Sequence, residues 1–207
     1  MATAPSNATP LTTTATAAAP RLRRLYLARF AFAVVWAALF ALTSSPFGQV
    51  ALALAVIYPV FDVAAAVTDA RSASAGSRST VALYLNMAIS AAAAIALVVV
   101  GTGDVGHVLL VWGASAIAAG AVQLAVGIQR RAQAGHYPMI FSGALSIVAG
   151  TSFVASAHDA TSLGALAGYA VLGGVFFLVS ALRLGRRDRV ADRGLPTERA
   201  ASVTARH

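Results

Sequence analysis

The sequence predicts an all-α integral membrane fold of six transmembrane helices arranged as three repeated helical hairpins. Three observations predict it. Apolar residues fill whole segments, with 58% of the chain hydrophobic and 11% charged, whereas soluble domains carry about one quarter charged residues. The segments number six, each near the ~20 residues a helix needs to cross a bilayer. Arginines gather at alternate ends of the segments, the pattern produced when basic loops stay on the cytoplasmic side.

The chain begins with "MATAPSNATPLTTTATAAAP", a low-complexity Ala/Thr/Pro stretch that predicts a disordered tail over 1–20. The membrane domain covers 21–187. Its first span, 25–43, follows "RLRR" and so resembles a secretory signal. Its apolar core is too long for one, starts too far along the chain, and leads at once into a second span. The uncharged turn "TSSPFGQ" joins it to the span at 48–68, which carries Pro59 and Asp62. The link "SASAGSRST" leads to 81–101, and a turn with Asp104 and His107 leads to 106–128. The link "AQAGHYP" precedes 137–156, and a turn with His158 and Asp159 precedes 162–184. The charged segment 188–207, broken by Gly194 and Pro196, predicts a second disordered tail.

Arg21, Arg23, Arg24 and Arg29 precede or open the first span; Arg71 and Arg78 follow the second, Arg130 and Arg131 the fourth, and Arg183, Arg186 and Arg187 end the sixth. All fall on one side of a six-span topology. The positive-inside rule makes that side cytoplasmic and puts both termini there. The net charge of +8 is therefore spent on topology. It is scattered between apolar blocks and forms no single basic face for nucleic acid. The partner this composition implies is the lipid bilayer. With no cysteine, disulfides and thiolate metal sites are excluded. No HExxH, GxSxG, P-loop or dinucleotide fingerprint is present. The expectation is a non-enzymatic protein without cofactor or metal. His136 and Tyr137, beside Pro138, read as a turn at the membrane interface.

Each hairpin ends in a basic stop, "VTDAR", "GIQRR" and "RLGRR", which is internal repetition. Superposing the hairpins aligns Arg29 with Asn86 and Ser142, and Asp62 with Gln123 and Phe177. The Gly-containing helix "FSGALSIVAG" and the helix end "AGAVQLAVGIQRR" resemble the HdeD-type membrane proteins over roughly residues 22–187. Hairpin 1 departs most from that pattern: its first helix lacks glycine and its second carries Pro59 and Asp62. The resemblance implies a small bacterial inner-membrane protein associated with acid resistance, and no catalytic residues.

In an antiparallel hairpin, residues equidistant from the turn lie at one depth. Counting from Ser45 and Pro46 carries Arg29 to Val63, beside Asp62; counting about Asp104 carries Asn86 to Val122 and Gln123. Two polar pairs are expected, Arg29 with Asp62 and Asn86 with Gln123. A lone charge near the bilayer centre costs about 2.5–3.5 kcal/mol on insertion scales, so a paired clamp is the first reading of Asp62 and a proton-linked carboxylate of a small transporter or channel the alternative. Pro59 removes an amide donor and crowds the Ala55 carbonyl, so a kink is expected there.

Small residues recur at helical spacing: Ala51 and Ala55, Ala116 and Gly120, Ser142, Ser146 and Gly150, and Gly164 and Gly168. Such faces let helices approach closely. They also leave open a scaffold that assembles as a homo-oligomer or with other membrane proteins. Trp36 and Trp112 fall within spans, where each indole N–H needs a partner. In the outer loops Asp104, His107, His158 and Asp159 lack metal-ligand spacing but form a candidate pH-responsive surface. The two Asp alone give −2, and protonating all four groups gives +2.

Overall fold

The computed structural model describes residues 12–72, 78–129 and 137–194, with no side-chain detail at 12–20, 72, 78–80, 138 and 187–194. It is built of six helices: α1 (Thr12–Thr43), α2 (Gln49–Ser72), α3 (Arg78–Val100), α4 (Val105–Gln129), α5 (Tyr137–Ser156) and α6 (Gly164–Gly194). Each contains a stretch long and apolar enough to cross a membrane. Their outward faces are apolar too: Leu42, Val99, Ile95 and Val148 are all exposed. Such helices suit a lipid surround, and the chain is a multi-pass membrane protein.

Two helices run past the apolar blocks. α1 starts at Thr12, so 12–20, expected as disordered tail, are helical. α6 continues to Gly194 and takes 188–194 out of the second expected tail. Alanine, frequent in 12–20, and arginine, present twice in 188–194, are among the best helix formers, and a helix already nucleated by its span propagates at little cost. Residues 1–11, 73–77, 130–136 and 195–207 lie outside the described residues.

Among the described residues each helix packs on its neighbours in the chain, and α6 returns to pack on α1, closing a ring of six. The closest partners are α4 with α5, α1 with α6, and α2 with α3. The expected hairpin pairs, α1 with α2, α3 with α4 and α5 with α6, touch less closely, α5 with α6 least. Large rings stand between α1 and α2. Phe32 stacks on Phe61 with centroids 3.7 Å apart, and Trp36 meets Tyr58 edge-on at 4.8 Å.

Glycine explains the closest pair. Gly106, Gly113, Gly120 and Gly127 recur every seven residues along α4. A β-carbon at Gly113 would lie 2.7 Å from the carbonyl oxygen of Gly150, and one at Gly120 would lie 2.7 Å from that of Gly143. No side chain fits there. A seven-residue repeat keeps one seam facing a partner along a left-handed crossing. Gly120, expected to pack closely together with Ala116, thus belongs to a longer glycine seam, and Gly150 packs as expected. Gly164 and Gly168 do not: a β-carbon at either meets nothing within 4 Å.

The core fills the ring towards the short turns. Trp36, Phe40, Leu97, Val108, Leu163 and Leu166 are fully buried, with Ala51 and Ala55 beside them. Trp36 stacks on Phe40 at 4.6 Å and on Trp112 at 5.5 Å. The turns are closed locally. Gly101, at φ +64°, donates its N–H to the Leu97 carbonyl and ends α3 in the left-handed conformation glycine allows.

Candidate functional site

The polar groups of the spans meet towards the Arg-rich end of the ring. Arg29 on α1 donates from Nη2 to Oδ1 of Asp62 on α2, forming an ion pair. Both side chains lie at about the same distance along the chain from the turn at Ser45 and Pro46, and they meet across the hairpin. Asp62 also accepts from α3: Asn86 Nδ2 and Ser90 Oγ both donate to Oδ2 at 2.9 Å. The guanidinium lies 4.5 Å from the centroid of Phe177 on α6, within cation–π range. The cluster therefore ties together α1, α2, α3 and α6. With Arg29 and Asp62 side chains 10% and 24% exposed, it is a partly buried clamp in which the carboxylate meets a donor at both oxygens.

The second expected pair is corrected. Asn86 does not bond Gln123. It donates to Asp62, while Gln123 Oε1 accepts from Ser142 Oγ at 3.3 Å. α3 packs closer to α2 than to α4, and an amide donor gains more from a carboxylate than from another amide. Ser90 was missed. Its signal was present, because residues four apart on a helix share a face and Ser90 follows Asn86 by four.

Pro59 sits within α2, which continues unbroken from Gln49 to Ser72. Trp36 Nε1 donates to the Leu54 carbonyl at 2.6 Å, in the turn before the proline. The carbonyl engaged is Leu54, one residue before the Ala55 carbonyl that the sequence singled out. Trp112 differs: it is 5% exposed, and its indole nitrogen has no hydrogen-bond partner among the described residues.

Beside the clamp lies a pocket of ≈ 100 Å³, bounded by α2, α3, α4 and α6 and lined in part by Tyr58, Asp62, Asn86, Ser90, Trp112 and Tyr169. Tyr169 donates to Ser146 Oγ at 3.0 Å and meets Phe153 edge-on at 5.6 Å, bridging the loosest seam, α5 to α6. A wider, open cleft of ≈ 510 Å³ lies at the short-turn end, near Ser156, Asp159 and Ser162.

The four residues at the short turns, Asp104, His107, His158 and Asp159, divide. Asp104 caps α4, its Oδ1 accepting from the Gly106 N–H at 2.7 Å, and its Oδ2 lies 2.8 Å from His107 Nδ1. A capping carboxylate satisfies a free helix amide. Gly106 approaches the Ala157 carbonyl, which brings the two turns to one end, but no hydrogen bond or ion pair joins Asp104 or His107 to His158 or Asp159. No group of three or more His, Asp or Glu suited to a metal occurs among the described residues. No protein-family model, curated protein or solved structure matches the chain.

Proposed function

We propose that this is a non-enzymatic multi-pass protein of the bacterial inner membrane, of HdeD-like type, that contributes to acid or envelope stress tolerance. One observation carries the reading: Arg29, Asp62, Asn86 and Ser90 form a clamp towards one end of the ring, and the large side chains of Trp36, Phe40, Leu97, Val108, Leu163 and Leu166 are buried towards the other. A solute path needs polar groups along the whole crossing. A bundle filled in this way is suited to maintaining a barrier. The contacts Arg29–Asp62, Asp62–Asn86, Gln123–Ser142 and Arg29–Phe177 each join a member of the aligned set Arg29, Asn86 and Ser142 to a member of the set Asp62, Gln123 and Phe177, which supports three repeated hairpins.

The test pairs two measurements. A deletion strain is challenged with acid, and the purified protein is reconstituted for proton and ion flux. Lower survival of the deletion strain, with flux no greater than in empty vesicles, is the expected result. Flux abolished by Asp62→Asn replaces this reading with a proton-linked transporter. Unchanged survival removes the acid role.

Orientation has its own test. The chain has no cysteine, so single cysteines report on a clean background. Gly103→Cys and Ala160→Cys are expected to react with an impermeant thiol reagent added outside, and Ala75→Cys and Ala134→Cys to be protected. The reverse pattern overturns the topology with both termini cytoplasmic.

A second reading, a membrane scaffold, is supported by Gly164 and Gly168. They lie exposed on α6 with no neighbour within 4 Å, leaving a small-residue face for another helix. Cross-linking between cysteines at these two positions in membranes tests it.

A further inference from the structure

We infer that the arginines gathered where α6 closes on α1 form a binding site for the phosphate of an anionic phospholipid headgroup. The residues come from opposite ends of the sequence. Arg21, Arg23 and Arg24 open the first span, and Arg183 and Arg186 end the last. Ring closure brings the two groups to one level. A β-carbon at Gly174 would lie 3.1 Å from that of Ala33, and one at Gly185 would lie 3.1 Å from Nε of Arg23. The antiparallel register set by these two contacts puts Arg24 level with Arg183 and Arg21 level with Arg186. Charge that is scattered along the chain is thus concentrated on one helix seam.

Among the described residues, none of these five arginines forms an ion pair or a hydrogen bond. Arg21, Arg24, Arg183 and Arg186 are exposed, and Arg23 is half-buried. No acidic residue precedes Asp62 in the chain. Asp62 is taken by Arg29, Asn86 and Ser90, and Asp69 on α2 has Arg29 as its charged neighbour. Beyond Arg187, Asp188 and Asp192 are matched in number by Arg189 and Arg193. Like charges at one level repel one another until an anion enters. Guanidinium groups offer paired N–H donors that match the oxygens of a phosphate.

Depth selects a lipid among phosphate-bearing partners. Arg21 and Arg186 bound the first and last apolar spans, which is the level of the headgroups. Ala28, Val35 and Leu42 follow Arg21 at seven-residue steps along α1, and all are exposed. Leu182 and Val175 precede Arg186 on α6 and are exposed too. Helical spacing keeps each set near one face with its arginine. A headgroup held by the arginines therefore has apolar surface beneath it for its acyl chains, which free phosphate or an acidic peptide does not use. Basic clusters beside membrane helices recognise anionic headgroups through this combination.

The experiment uses the full chain, stripped of lipid in an uncharged detergent, with native mass spectrometry to follow bound phosphatidylglycerol. Phosphatidylcholine, which carries the same phosphate without net charge, is the comparison lipid. Phosphatidylglycerol is expected to bind saturably and more tightly than phosphatidylcholine. Arg24→Gln combined with Arg183→Gln is expected to weaken that binding about fivefold for each arginine removed, as for basic residues beside an anionic membrane surface. Arg21→Gln with Arg186→Gln serves if the first pair does not fold. Arg130→Gln with Arg131→Gln removes the same charge from the link before α5 and is expected to leave binding unchanged. Equal retention of the two lipids, or equal losses from the seam pair and the link pair, overturns the inference, because the charge then acts without a site. Displacement of phosphatidylglycerol by inorganic phosphate at equal concentration overturns the lipid as the source of the phosphate. Tighter binding of oligoglutamate than of phosphatidylglycerol also overturns it and makes the seam a docking surface for an acidic protein segment. These readouts do not depend on an acid phenotype, so this inference and the proposed function fail separately.

Discussion

Arg29→Gln lowers stability more than Asp62→Asn, and the double variant regains part of the loss; that is the expected outcome of a thermal-unfolding cycle on the purified protein. Arg29 and Asp62 form an ion pair between α1 and α2. Removing one partner of a buried pair typically costs about 3–5 kcal/mol, because the other charge is left without its mate. The two single losses differ for a physical reason. Without Asp62, the long arginine stem lets the guanidinium reach towards the headgroups at the Arg-rich end, and Phe177 still offers its ring face. Without Arg29, the short Asp62 side chain stays at its depth with only Asn86 and Ser90 as donors. The double variant has no charge to strand and places two amides beside Asn86. A coupling energy well away from zero is therefore expected from the cycle. Additive losses would show that the two side chains act independently. An Asp62→Asn protein of full stability that lacks acid protection or ion flux would make the carboxylate a working group instead of a clamp.

Gly120→Leu is expected to prevent accumulation of folded protein, and Gly120→Ala to lower its melting temperature. A β-carbon at Gly120 would meet the Gly143 carbonyl oxygen at 2.7 Å and the Ser146 β-carbon at 2.9 Å. The first obstacle is backbone and cannot rotate away. Alanine gains about 1 kcal/mol over glycine in intrinsic helix propensity. Overpacking typically costs about 1–3 kcal/mol, and here it acts on the most closely packed helix pair of the ring, so the clash outweighs the propensity gain. Leucine adds three further carbons at the same point and forces α4 and α5 apart. Gly168→Ala supplies the control: its β-carbon meets nothing within 4 Å, so only the propensity term remains and stability is unchanged or higher. Size-exclusion profiles and thermal unfolding in one detergent measure all three. A Gly120→Ala protein as stable as the parent would contradict the close approach of α4 to α5.

Six spans were legible in the chain because bilayer thickness demands a fixed length of apolar helix, and 25–43 through 162–184 each meet it. The Arg29–Asp62 pair was legible for an equally simple reason: an uncharged five-residue-scale turn makes depth a matter of counting. Rotation about each helix axis was not legible. These helices are apolar on nearly every side, so no polar face announces which side points inward. That choice falls to close approach and to donors seeking acceptors. The glycine seam draws α4 onto α5, the Asp62 carboxylate draws Asn86 away from Gln123, and α6 returns to α1 with Gly174 set against Ala33. The number and apolar extent of the spans, and the shared depth of Arg29 and Asp62, were thus determined by the sequence alone. The ring closure, the partners of Asn86, Gln123 and Ser90, and the pocket at Trp112 were decided only when six helices packed together, because each depends on side chains from elements distant in the chain.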